Sequence, residues 1–100
     1  MRKTAPWFVY MLECAGGRIY TGTTPDVAAR YAKHRAGRGG AFTRSFPPRR
    51  VLAAKRCGTR GAALQVEYAL KQLPPAGKRR WAREYRWRAT RSRPSGRRSG

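Results

Sequence analysis

The chain has 100 residues, of which 24 are Lys or Arg and 4 are Asp or Glu; with one histidine, its formal charge is +20 at pH 7. A chain this short holds one hydrophobic core. Four acids can neither neutralise that surface nor supply the carboxylate cluster of a two-metal centre, so a polyanionic partner is expected, and nucleic acid is the commonest polyanion in a cell.

Residues 7–14, WFVYMLEC, are aromatic and β-branched and predict a strand. AGGR supplies turn chemistry, and IYTGT returns as a second strand. The apolar run is too short for a signal peptide, and no segment is long enough to span a bilayer. TPDVAARYAKH predicts a helix with Thr24 as N-cap, Pro25 at the first helical position and Asp26 in the first turn; Gly37 stops it. Residues 35–50, RAGRGGAFTRSFPPRR, have no period and read as a loop long enough to suggest function. VLAAKRC reads as a third strand, and Thr59 caps a second helix that Pro74 and Pro75 end.

Residues 76–100 hold ten Lys and Arg, with Trp81, Tyr85 and Trp87 among the first of them. A basic amphipathic helix is expected over 78–89 and a disordered end after it. The two tryptophans suit either stacking on bases or covering the core. Cys14 and Cys57 lack metal-ligand spacing and predict free thiols in a reduced cytosolic compartment. The fold class expected is α+β: a small three-stranded antiparallel sheet flanked by helices, spanning 5–80, with a basic C-terminal extension over 81–100.

Val27, Arg30, Tyr31 and His34 recur at i, i+3, i+4 and i+7 and share one helix face. Arg30 and His34 therefore sit one turn apart on an apolar side, unless both merely fray into water. On the second helix Ala63, Val66, Leu70 and Leu73 form the apolar stripe, and Glu67 lies on or beside it. A surface pair with Lys71 explains Glu67 blandly. The other acids have local roles, so Glu67 is the candidate metal ligand, and a single carboxylate suits Mg²⁺ with phosphate oxygens and water. One acid, one arginine, one histidine and two phenols, Tyr10 and Tyr20, are the parts of a one-metal phosphodiester hydrolase.

FVY at 8–10, YTG at 20–22, Arg30 and His34 on the next helix and Glu67 on a later one resemble, in order and spacing, the GIY-YIG nucleases, in particular their small single-domain bacterial members. The likeness covers about residues 5–80. The namesake triplets differ, and the asparagine that many members carry after the metal glutamate is missing, since this chain has no asparagine. The resemblance implies a Mg²⁺-dependent DNA endonuclease of the bacterial cytoplasm and nucleoid, active in DNA repair, needing no small-molecule cofactor and no membrane, with RNA a further possible ligand and a targeting protein partner unidentified. It implies that Glu67 holds the metal, that Tyr10 contacts the attacking water as general base with Tyr20 and His34 beside it, and that Arg30 stabilises the transition-state charge. A free phenol has a pKa of about 10, so the metal, Arg30 and His34 are expected to favour its ionised form. Thr43 and Arg44 are the loop residues expected to reach a phosphate.

One geometric condition follows from the pleat. A strict two-residue turn at Gly16-Gly17 would put Tyr10 and Tyr20 on opposite faces; an odd loop or a bulge puts them on one. The odd register is predicted. Two other classes compete: a non-catalytic nucleic-acid-binding module of the same fold, and a structural basic protein resembling a ribosomal component.

Overall fold

The structure, a computed structural model, describes residues 5–87. Three antiparallel strands, β1 (Trp7–Cys14), β2 (Ile19–Thr24) and β3 (Pro48–Gly58), lie in the order β2-β1-β3. Between β2 and β3 come α1 (Val27–Arg35) and the short α2 (Ala41–Ser45); α3 (Arg60–Lys71) and α4 (Pro75–Glu84) follow β3. The α+β class and the three-stranded sheet are as the sequence predicted. Among the described residues no helix is long and apolar enough to cross a membrane.

β1 is an almost unbroken apolar run because it is central and both its faces are covered. Val9 and Met11 pack with Ala53 against Ala63 and Leu70 of α3 and Ala82 of α4. Tyr10, Leu12 and Cys14 pack on the other side, where α1 supplies Val27 and Tyr31. Fully burying an apolar side chain of this size contributes about 1.5–3 kcal/mol, so this strand organises the core. β2, at the edge, carries the polar IYTGTT.

The hairpin has the odd register. Glu13 pairs with Ile19, Leu12 with Tyr20 and Tyr10 with Gly22, so Tyr10 and Tyr20 share a face. Gly16 and Gly17, both at φ 76°, make the turn, a left-handed conformation that glycine adopts without a Cβ penalty. The Cys14 amide donates to the Arg18 carbonyl at 2.8 Å and closes it.

Several boundaries differ from expectation. Asp26, not Thr24, is the N-cap of α1: its carboxylate accepts from the Ala29 amide at 3.1 Å. Thr24 instead accepts from the Asp26 amide at 3.1 Å, one step earlier. The 35–50 loop contains α2, which glycine and proline on either side conceal. β3 begins three residues before the apolar VLAAKRC, because Cys14 at the end of β1 pairs with Pro48. Thr59 caps α3 as predicted, accepting from the Ala62 amide at 3.1 Å.

Pro74 and Pro75, read as a stop, also start the next helix, with Pro75 in the first turn where its missing N–H costs nothing. The basic helix therefore spans 75–84 rather than 78–89. It carries folded chain past residue 80: the Trp81 and Tyr85 rings, centroids 4.8 Å apart and tilted by 38°, pack against the α3-side core. The Ala54 amide donates to the Tyr85 carbonyl, and that of Trp87 to Leu52, which closes the outer edge of β3. The expected disordered end, from residue 88 on, lies outside the described residues. Cys14 and Cys57 are free.

Truncating Leu70, buried between α3 and the sheet, is expected to lower unfolding free energy by about 2–5 kcal/mol, and Thr59→Ala by about 1 kcal/mol, with m-values unchanged in urea titrations.

Candidate active site at the edge of β2

Tyr10 starts on the central strand but its ring lies across Gly22 of the neighbouring edge strand. A Cβ on Gly22 would stand 2.7 Å from the phenol oxygen, so only glycine lets the ring reach the edge. There the Tyr10 hydroxyl meets Nε2 of His34 at 2.9 Å. His34 comes from the inner face of α1 and is 1% exposed. Its Nδ1 lies 2.7 Å from the hydroxyl of Thr43 on α2. Gly39 leaves room for this imidazole, because a Cβ there would overlap the ring.

The other expected residues converge on the same place. The Tyr20 ring lies 6.2 Å from that of Tyr10 and 4.9 Å from that of His34. The Arg30 guanidinium, one turn before His34, is close enough for its charge to act on both. Glu67 approaches from α3, and its charge too is felt at Tyr10. Its carboxylate pairs with the Lys71 ammonium at 2.9 Å and its side chain is 17% exposed. The bland Glu67–Lys71 pair and the proximity to the site are thus both present. Among the described residues no three of His, Cys, Asp and Glu come together.

Two expectations need correcting. Burial, reinforced by Tyr20, raises the Tyr10 pKa above the ordinary 10; Arg30 works the other way but does not prevail. Arg30 and His34 by themselves therefore do not favour the ionised phenol. Thr43, expected at a phosphate, is 2% exposed and its hydroxyl belongs to His34. Arg44, the next residue, is exposed. The role of Thr43 was invisible to sequence reasoning because it stands nine residues from His34 on a different helix. The available signal was Gly39 just before α2, where the backbone passes close to the His34 ring.

His34 is held neutral. Burial, then the Arg30 and Lys33 charges, lowers its pKa below the ordinary 6.5. Its two ring nitrogens allow two directions of hydrogen bonding. Either Tyr10 donates to Nε2 while Nδ1–H donates to Thr43, or Thr43 donates to Nδ1 while Nε2–H donates to Tyr10.

A sheet of three antiparallel strands, a tyrosine on each hairpin strand, and an arginine–histidine helix face closing over them define the class of the GIY-YIG nucleases. The chain belongs to that family: the GIY-YIG catalytic domain matches residues 6–80. It is 49% identical over 72 residues to a UPF0213 protein of Cupriavidus pinatubonensis, covering 72% of this chain and 80% of that protein. To a UPF0213 protein of Cupriavidus necator it is 46% identical over 79 residues, covering 79% and 86%. The solution NMR structure of a UPF0213 protein from Bacillus halodurans superposes with a TM-score of 0.51 at 35% identity, covering 79% of this chain and 84% of that one.

Two outcomes follow from this geometry. Gly22→Ala should push the Tyr10 ring off the edge strand and lower any turnover by about 100-fold, the scale of an ångström-sized misplacement, while the circular dichroism spectrum stays native. The unfolded chain takes up a proton at His34 near pH 6.5 and the native chain resists it. Stability is therefore fully present above about pH 6.5 and falls as pH drops below it; urea midpoints between about pH 7.5 and about pH 5 should show this slope, and His34→Gln should flatten it.

Proposed function

We propose that this protein is a divalent-metal-dependent endonuclease that hydrolyses a phosphodiester bond of DNA, selecting its substrate by shape. The observation that carries the reading is the buried Tyr10–His34–Thr43 hydrogen-bonded chain, with Tyr20, Arg30 and Glu67 gathered at its outer end.

Mg²⁺ fits the donors available. One carboxylate with no second acid beside it suits a cation that keeps several waters and takes phosphate oxygens as its other ligands. Glu67 would hold it, once Lys71 gives way, and the ion would supply Lewis-acid neutralisation of charge on the phosphate oxygens. A neutral Tyr10 works as a relay rather than as a preformed base. As water attacks phosphorus, its proton passes to the Tyr10 oxygen while the Tyr10 proton moves to Nε2 of His34. That transfer needs Nε2 free and the proton on Nδ1, donated to Thr43. Arg30 offsets the charge that builds on the phosphoryl oxygens. The P–O3′ bond breaks, the leaving oxygen takes a proton from solvent, and His34 returns its extra proton through Tyr10 to solvent, which restores the neutral pair; the products are a 5′-phosphate and a 3′-hydroxyl.

Nucleic acid as the partner is supported beyond the site. On the far edge of the sheet Arg50, Arg79, Arg83 and Arg86 surround a hollow of about 270 Å³ walled by Trp87. Glu13 pairs with Arg50 at 2.7 Å and Arg79 at 3.5 Å, holding two of the four in place with a single negative charge. Such contacts position a backbone without reading sequence, which is why selection by shape (nicks, flaps, branches or ends) fits better than a sequence-specific role.

Supercoiled and branched DNA incubated with Mg²⁺ should be nicked, and EDTA should abolish nicking. Glu67→Gln, Arg30→Ala and Tyr10→Phe should each lower the rate by about 100-fold or more. Lys71→Met should lower the Mg²⁺ concentration at half-maximal nicking up to about fivefold, the worth of a half-exposed ion pair. Nicking retained by the Glu67 and Tyr10 variants sinks the assignment. Binding without nicking on every substrate establishes the alternative, a non-catalytic module of this fold.

A further inference from the structure

Next to the site lies an apolar feature that the hydrolysis itself does not use. From His34 a series of rings runs outward: Tyr20 at 4.9 Å, Phe42 a further 5.7 Å on, and Phe46 another 5.3 Å, where the Arg18 guanidinium caps the last ring at 4.0 Å. Phe42 is the ring of this series that faces solvent, at 38% exposure. It lines two adjoining hollows of about 280 and 340 Å³, and Lys78 of α4 and Ile19 of β2 line both. The inner hollow also touches Tyr20 and Thr21, and the Thr21 hydroxyl is buried without a hydrogen-bond partner among the described residues.

We propose that this groove is a subsite for one unpaired DNA nucleotide next to the cleaved bond, with its base stacked on Phe42 and its phosphate at Lys78. The bland role of Phe42 is to shield Tyr20. That role does not account for an aromatic face left open to a groove with an ammonium on its wall. A face for stacking beside a positive group for the backbone is how single strands are held without sequence preference. A duplex cannot present a face of an internal base to Phe42, whereas a flap, a frayed end or a branch can. The proposal rests on the nuclease reading for its location and names the feature of shape that the enzyme selects.

The test uses binding in EDTA, so no turnover is needed. Fluorescence anisotropy compares the full chain on a blunt DNA duplex and on the same duplex with a short unpaired overhang. The wild type should prefer the overhang, and Phe42→Ala should lose that preference by about 5- to 150-fold, the range of one base–aromatic stack, while blunt-duplex affinity stays within about twofold. Phe42→Tyr should restore it. Lys78→Ala should weaken overhang binding and reduce its salt slope by about one phosphate contact. Native circular dichroism of the variants separates this from misfolding. A wild type without preference for the overhang overturns the subsite, as does equal loss on both DNAs in Phe42→Ala. A preference that depends on Phe42 in a protein that nicks nothing leaves the subsite standing and removes the nuclease.

Discussion

The hydrogen bond between the Tyr10 hydroxyl and His34 Nε2 joins the central strand to the helix that covers it, and both groups are almost wholly removed from water. A buried hydroxyl and a buried imidazole each need partners, or their desolvation costs about 1–3 kcal/mol apiece. That need links elements far apart in sequence. Thr43 satisfies the second ring nitrogen from α2, Gly22 clears the path of the phenol over β2, and Gly39 clears the backbone beside the imidazole. A network of this kind is stable only when complete, because the low polarity that strengthens each bond also penalises any member left unpaired.

The same burial sets the chemistry. Removing Tyr10 from water raises its pKa, and removing His34 lowers its own. Both shifts favour the neutral forms at physiological pH, so a charge placed on either buried group would be costly to keep. Arg30 accentuates the effect on His34 while opposing it on Tyr10. One guanidinium thus draws the two pKa values down together, and burial drives them apart. Charge is kept at the rim instead, where Glu67, Lys71, Lys78 and Arg44 meet solvent and where a polyanion would arrive.

Half of the candidate site was legible in the sequence. Arg30 and His34 could be placed on one face because a helix brings i and i+4 together whatever surrounds it. The two phenols were linked through the parity of the hairpin loop, a local property of the chain. Thr43 was misread because a threonine in a Gly/Arg-rich stretch looks like a surface residue until α2 folds back over α1. The state of Tyr10 was misread because the sequence shows the charged neighbours of a phenol but not how far it is from water. Lys71 was seen as the partner of Glu67, and the fold keeps that pair while bringing the Glu67 charge within reach of Tyr10.

The sequence by itself determined what is local and what is additive. The charge, the parity of the hairpin, the Thr59 cap of α3 and the order of the motif follow from residue chemistry and from periods of two and 3.6. Only the tertiary structure decided which side chains lose their water. Burial is a property of the packed sheet, with α1 and α2 on one face and α3 and α4 on the other, and no short window of sequence contains it. For that reason the chain announced a hairpin with two tyrosines and a helix with a histidine, while the fold buried the Tyr10 hydroxyl against His34 and turned Thr43 inward.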